Sequence, residues 1–344
     1  MPSGIRARAL QNVNRRAKMR RPAIWDQCVA APVSGYGVFD GITIKTDSIE
    51  DSRTDRVMPI LQEEQILMCR LTDRLKPDKQ VLDVGTGSGV LGIYAAAKAG
   101  CRVVAIDISK RALRFAKANA QDNSVPVLEW PDEPQSGQIS LFHSSLEEFA
   151  SCYPRLSKGF DVILLNPPFN PTCPIVSPAL HASAGPDGQG PFENQLRLVP
   201  ALQKVGGYCI GYQMSYDRRP RKIAALAFLR KAYQKKCKIT FAHALRDKKS
   251  VQAGEFLRAQ YESFLVDTGA RNSLTKAFVE RYIGNVGRSG RRFSLIYYEV
   301  RRQASVFSRA PKEVNVRGLP NRTWKDRIWL HRCIVDHATR TEIS

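Results

Sequence analysis

Asp83-Val84-Gly85-Thr86-Gly87-Ser88-Gly89 sets three glycines at alternate positions, directly after an apolar run and a single carboxylate. Glycine is needed where the backbone must turn into left-handed φ/ψ and where a ligand must approach bare peptide N–H groups. Val81 to Val84 read as a buried strand, the glycines as a tight turn, and Val90 to Ala99 as the helix that follows. A second strand, Arg102 to Asp107, ends in a carboxylate placed to hold two ribose hydroxyls. These residues predict a nucleoside-binding βαβ unit. Farther on, Phe160 to Leu165 form another wholly apolar strand, save Asp161, that runs straight into Asn166-Pro167-Pro168-Phe169.

Two ligands compete for the glycine turn. Gly87-Ser88-Gly89-Val90-Leu91-Gly92 satisfies the dinucleotide pattern G-x-G-x-x-G, with Asp107 about 20 residues on. The turn begins earlier, however, at Gly85, and Asp83 occupies a strand position where a dinucleotide fold carries an apolar residue. An acid just before the glycines suits a cationic ligand better than a pyrophosphate. The stretch resembles motif I of the class I S-adenosylmethionine-dependent methyltransferases. That resemblance implies a Rossmann-like fold and S-adenosyl-L-methionine as cofactor, held by Asp83, Gly85, Gly87, Gly89 and Asp107. Ser144-Ser145 stand where many relatives carry an aspartate that receives the adenine amino group, so Ser145 joins the expected contacts, as does Asn166.

Proline forces the residue before it out of the helical region, so Asn166 and Pro167 are both held extended at the end of their strand. The Asn166 side-chain oxygen and the Pro167 carbonyl can then point into the crevice where open α/β sheets bind ligands. An amide or exocyclic NH₂ is a poor nucleophile because its lone pair is delocalised. Two acceptors on its hydrogens orient that lone pair, a gain of position and electrostatics without a covalent intermediate. Phe169 offers a ring to a planar acceptor. The combination resembles the amino-methyltransferases with an N-P-P-[FY] motif, which act on release-factor glutamine, ribosomal-RNA guanine or adenine, and DNA adenine. Over residues 57–213 it looks most like the glutamine type. Val57-Met58-Pro59-Ile60-Leu61-Gln62-Glu63-Glu64 stands at that family's P-R-P-x-T-E segment, keeping only Pro59 and Glu64. Pro178-Ala179-Leu180 and Gly185-Pro186-Asp187-Gly188 resemble its P-x-A-L…G-G-x-D-G loop. Phe169 replaces the tyrosine commoner in glutamine enzymes and leans toward nucleic-acid substrates.

The surrounding elements must position these residues. Residues 33–58 hold short strands (Val38-Phe39 and Ile42 to Ile44), and Gln62 to Leu75 reads as an amphipathic helix with leucines four apart. Ser109 caps a helix from Lys110 to Ala120, and residues 124–138 read as a loop. Then follow strand Ile139 to His143, helix Leu146 to Ala150, helix Asn194 to Val205, strand Tyr208 to Tyr212, helix Arg221 to Lys235 and strand Ile239 to Ala242. Phe293 to Tyr298 form a delayed last strand after a helical insertion, about 246–290, with helices over Val251 to Val266 and Leu274 to Ile283. This alternation predicts an α/β fold with a doubly wound, mostly parallel, seven-stranded sheet. The expected organisation is a basic arm over 1–22, a lead-in over 23–80, a methyltransferase domain over 81–300 and a basic extension over 301–344 without a sheet role.

The 344 residues carry a net charge of +21. Residues 1–22 hold +7, residues 23–213 hold −4 and residues 214–344 hold +18. A near-neutral centre with basic flanks predicts a nucleic-acid partner, RNA or the ribosome, with Arg218, Arg219, Arg221 and Lys222 close to the crevice mouth. No apolar stretch is long enough for a transmembrane helix, so no membrane partner is expected. Eight cysteines without a C-x-x-C pair read as thiols of a reducing compartment, and no metal is expected. His331, Cys333, Asp336 and His337 are a weak zinc candidate. The acid-free start fits a cytoplasmic RNA-binding arm or a mitochondrial presequence equally. These features predict an enzyme that methylates a planar amino or amide nitrogen, of RNA or a ribosome-associated protein. A small-molecule N-methyltransferase and a non-catalytic nucleic-acid-binding scaffold are the alternatives.

Overall fold

The computed structural model describes residues 36–47, 51, 53–58, 74–128, 132–157, 159–173, 180–181, 183–217, 224–234, 236–243, 273–288, 292–304 and 312–313. The expected helix over 62–75, save Arg74 and Leu75, which are not helical, lies outside them, as do the helix over 251–266, the basic arm, Arg218 to Lys222, and the His331/Cys333 cluster.

Strand β3 (Gln80–Val84) continues through helix α1 (Val90–Ala99) to β4 (Arg102–Asp107), then α2 (Lys110–Asp122) and β6 (Ile139–His143). The return on the other side runs α3 (Leu146–Cys152), β7 (Phe160–Leu165), α4 (Gly190–Leu202), β8 (Gln203–Asp217), α5 (Ala224–Tyr233) and β9 (Cys237–His243). It ends with α6 (Ser273–Arg288) and β10 (Arg292–Arg302). With the two-residue strands β5 (Val127–Leu128) and β11 (Lys312–Glu313), the sheet order is β11-β9-β10-β8-β7-β3-β4-β6-β5. The sheet is doubly wound and Rossmann-like, parallel except where β10 runs antiparallel between β8 and β9.

Burial on both faces explains the apolar runs. All six residues of β7 are buried. Val162 and Leu164 pack on the face shared with Ile93, Tyr94 and the hairpin residues Ile42 and Ile44. Ile163 and Leu165 pack on the face covered by Phe149, Phe192, Leu196 and Leu229. A strand covered on both sides needs apolar residues at every position, not alternation.

The sequence reading needs correcting in three places. The sheet has nine strands, not seven. Val127–Leu128 lies inside the expected loop but pairs in parallel with Ile139 and Ser140. At the other edge Lys312–Glu313 pairs with Thr240 and Phe241, and Arg301 and Arg302 complete β10, so the carboxyl-terminal region does contribute to the sheet. The helix expected to run to Val205 stops at Leu202, and β8 is 15 residues long. Gln203 causes the stop: its buried amide donates to the Gly207 and Val300 carbonyls at 2.7 and 3.0 Å, tying the chain into the sheet at once. That helix also starts earlier, at Gly190, because Pro191 supplies a ready-made first turn.

A separate hairpin, β1 (Tyr36–Phe39) and β2 (Ile42–Lys45), is held to α2 by two asparagines one helical turn apart. Asn119 accepts from the Lys45 N–H (2.8 Å) and donates to the Lys45 and Ser88 carbonyls (2.9 Å each). Asn123 likewise accepts from and donates to the Thr43 backbone. Asn119 is fully buried, so Asn119→Ala strands three backbone groups. It should lower the unfolding free energy by about 3 kcal/mol, roughly 1 kcal/mol per lost bond. Denaturant titration checks this; a variant matching the parent midpoint would contradict the tie.

Candidate cofactor and methyl-transfer site

β3 is where the sheet order reverses, with β4 on one side and β7 on the other, and ligands in open α/β sheets bind at such a point. Register brings the ends of the three strands level: Val84 pairs with Ile106 of β4 and with Leu165 of β7. Gly85 and Asn166 are therefore the first residues past the sheet on neighbouring strands, and Asp107 closes the other side.

The turn itself is drawn over the end of β4. Gly85 N–H and Thr86 N–H both donate to the Ile106 carbonyl, at 2.9 and 3.0 Å. Gly85, Gly87 and Gly89 have φ of 70°, 56° and 85°, the left-handed region that glycine enters without steric cost. The three differ in what surrounds them. A Cβ on Gly85 would meet nothing within 4 Å, and on Gly87 only the Gly85 carbonyl at 4.0 Å. Open space in front of bare backbone is what a bound cofactor needs. At Gly89 a Cβ would lie 2.9 Å from Ile93 Cδ1 and 3.0 Å from Ala116 Cβ. Gly89, expected as a cofactor contact, thus serves the close approach of α1 and α2.

Asp107 accepts from Gly87 N–H through Oδ2 (2.9 Å) and from Ser109 N–H through Oδ1 (2.8 Å). Each oxygen keeps a lone pair for a ribose hydroxyl. Burial raises its pKa, while the Ser109 and Gly87 bonds oppose the rise. Asp83 is 2% exposed. Its Oδ2 accepts from the Thr86 hydroxyl (2.7 Å) and the Gly92 N–H (3.1 Å). Burial pushes its pKa up to about 6 against those two bonds, and the nearby Asp107 charge adds to the rise. A buried carboxylate poised this way gains from a cation placed beside it.

Ser145 has a structural task. Its hydroxyl accepts from Glu148 N–H (3.1 Å) while the Glu148 carboxylate accepts from Ser145 N–H (2.9 Å), a capping box that starts α3. Sequence reasoning passed over Ile108, which is 55% exposed directly after Asp107 and presents an apolar side chain to solvent beside the turn. Its carbonyl is 3.0 Å from His143 Nε2. The signal was available, since an aliphatic side chain between Asp107 and a helix cap has no core position to fill.

On the acceptor side, Pro167 is buried and Asn166 partly exposed. The Phe169 ring lies 5.6 Å from that of Tyr212, inclined at 59°. Behind it the chain folds back on itself: Asn170 bridges to Ser183, Thr172 N–H donates to the Gly185 carbonyl (2.8 Å), and Leu180 N–H to that of Thr54 (2.7 Å). A Cβ on Gly188 would lie 2.6 Å from the Phe169 carbonyl, so only glycine fits there. Thr54 and the Gly185-Pro186-Asp187-Gly188 segment are thus drawn to the lip of the crevice, while Pro59 lies outside the described residues. His181 sits in this lip, with its pKa lowered to about 4 by burial and by the Arg56 charge. Among the described residues no group of His, Cys, Asp and Glu could hold a metal ion. A 490 Å³ recess lined by Leu75, Tyr94 and Lys98 lies at the far end of α1 and touches none of these residues.

The model of the ribosomal protein L11 methyltransferase (PrmA) family matches residues 65–137, the stretch from before β3 to the turn ahead of β6. A Methanocaldococcus jannaschii protein, provisionally named a protein N5-glutamine methyltransferase, is 36% identical over 149 residues, covering 42% of this chain and 66% of the relative. The release factor glutamine methyltransferase of Streptococcus pneumoniae is 30% identical over 139 residues, 40% of this chain and 41% of the relative. The chain spans less than two thirds of either relative's length. It carries a class I S-adenosylmethionine-dependent methyltransferase core. No helix among the described residues is long and apolar enough to cross a membrane.

Two expected outcomes probe the methyltransferase cofactor site. With Asp83 titrating near 6, a cationic cofactor favours the carboxylate, so affinity for S-adenosylmethionine should rise about tenfold from pH 5 to pH 7. Asp83→Asn should flatten that profile, as calorimetry across pH would show; equal slopes would remove Asp83 from the site. The raised pKa also means that the free protein loses stability as pH climbs from about 4 to about 6, because the unfolded chain sheds the proton first. Asp107→Ala should weaken cofactor binding by about 1.5–3 kcal/mol per lost ribose bond. Unchanged affinity would contradict its role.

Proposed function

We propose that the protein methylates a planar amide nitrogen on a protein of the translation apparatus, using Asn166, Pro167 and Phe169. The observation that carries this reading is the register that sets Asn166 beside Gly85 across the switch point. S-adenosylmethionine supplies a sulfonium methyl as the electrophile. Gly85, Gly87 and Asp107 would hold it, with Asp83 near its cationic end and Ile108 against the adenine; the Ser145 hydroxyl, at the start of α3, remains a candidate for the adenine edge. The Asn166 side-chain oxygen and the Pro167 carbonyl accept the two N–H hydrogens of the acceptor. Its lone pair is thereby turned toward the cofactor, and the surplus proton leaves to solvent. Phe169, braced by Tyr212, offers its ring to the planar group. The glutamine acceptor is supported by the names of the relatives and by the lip formed from the Gly185 segment.

A second reading, transfer to an exocyclic amino group of RNA, uses the same two acceptors. It is favoured by Phe169 in place of tyrosine and by the +18 charge on residues 214–344.

Labelled S-adenosylmethionine, incubated with the full chain and with separated protein and RNA fractions of ribosomes and release factors, discriminates the two. The expected label is removed by protease and survives ribonuclease; label lost only to ribonuclease would establish the RNA reading instead. Asn166→Ala should lower transfer by roughly 10²–10³-fold, the scale of losing one oriented hydrogen bond in a transition state. Cofactor affinity should stay nearly unchanged. Transfer at the parent rate would show that the acceptor binds elsewhere.

A further inference from the structure

The sheet carries a second charged feature that methyl transfer does not use. Register places Arg301 of β10 directly opposite Lys238 of β9 on one side and Tyr208 of β8 on the other. Residues directly opposite in an antiparallel pair share a face, and neighbouring strands lie about 4.8 Å apart, so these three side chains stand in one row. Lys238 and Arg301 are both exposed. Like charges set opposite each other are destabilising. The Tyr208 ring brings a further cation into the row: the guanidinium of Arg74 is 4.7 Å from its centroid and that of Arg301 is 5.7 Å. Lys236, exposed just before β9, extends the line, its carbonyl accepting from Gln303 N–H at 3.0 Å.

The carboxylates nearby are engaged. Glu299, two residues back on the same face of β10, accepts from Arg74 Nε and Nη2 at 3.2 and 3.1 Å. Asp161 serves both Lys79 (2.8 Å) and Lys204 (3.5 Å). Among the described residues, no ion pair engages Lys236, Lys238 or Arg301. Tyr208 is level with Val162 of β7, four residues before Asn166, so the row lies about 13 Å back along the strands from the crevice.

We propose that this row is a docking site for RNA phosphates. The cations form an open line and not a pocket, which fits a repeating phosphate chain better than a single anion, and the net charge of +21 supplies long-range attraction. A lipid surface would need apolar side chains beside the cations. Among the described residues, Val205, 52% exposed, is the exposed large apolar side chain nearest in sequence to Tyr208. RNA held here leaves the crevice free, so the protein can rest on a ribonucleoprotein while Asn166 works on an acceptor. This inference does not depend on the acceptor's identity.

The test is fluorescence anisotropy of a labelled single-stranded RNA with the full chain, between about 50 and 200 mM salt. The parent is compared with Lys236→Gln/Lys238→Gln/Arg301→Gln. The expected result is affinity about tenfold weaker at low salt and a salt slope shallower by about 2, roughly 0.7 for each of three phosphates. Cofactor affinity and methyl transfer to a protein acceptor should be retained, which separates failure here from failure of the methyl-transfer site. The charge-preserving set Lys236→Arg/Lys238→Arg/Arg301→Lys should bind as the parent does. Parent-like affinity and slope in the glutamine variant would overturn the proposal, as would absence of RNA binding by the parent at low salt. A loss confined to phosphatidylserine vesicles or to polyglutamate would overturn it too.

Discussion

A single carbonyl organises the site. Ile106 oxygen, at the end of β4, accepts both Gly85 N–H and Thr86 N–H, and so pulls the turn after β3 across the neighbouring strand. The chain can make that reversal only with left-handed backbone at Gly85, Gly87 and Gly89. The next residue of β4 then becomes available: Asp107 meets Gly87 N–H with one oxygen and Ser109 N–H with the other. One strand end thereby fixes the glycine turn, the Asp107 carboxylate and the start of α2.

The same geometry explains why polar residues lie beneath the turn. Asp83 costs free energy to bury, but its bonds to Thr86 and Gly92 lock the turn to α1 from below. On the far side Asn119 joins the Ser88 carbonyl to the backbone of β2, so the hairpin stiffens the turn from behind. Asp47, just past β2, pairs with Arg111 in the first turn of α2 and with Arg53 at 3.2 Å. These ties leave the cofactor turn little freedom to rearrange when ligand arrives. A preformed site of this kind spends less of its binding energy on ordering.

Much of this was legible in the sequence, and the failures have physical causes. The alternating glycines, the carboxylate at the end of β4 and the Asn-Pro-Pro-Phe strand end are local signals, and their elements lie where the pattern put them. Ser145 carries two readings at once, because a serine three residues before a glutamate fits a capping box as well as a ligand contact, and only the capping box is a local signal. Gly89 looked like its neighbours, yet what excludes a side chain there is Ala116, 27 positions away in sequence. Val127–Leu128 and Lys312–Glu313 are two-residue strands stabilised only by their partners, so no periodicity announces them. The bonds of Asn119 and Asn123 to the hairpin bridge some 80 residues, beyond the reach of any local pattern.

Isothermal titration of the full chain with S-adenosylhomocysteine and with NAD is the most direct measurement of what the glycine turn holds. A methyltransferase core predicts saturable one-to-one binding of S-adenosylhomocysteine and no heat from NAD. Heat from NAD, with none from S-adenosylhomocysteine, would mean that Gly87 to Gly92 form a dinucleotide turn after all.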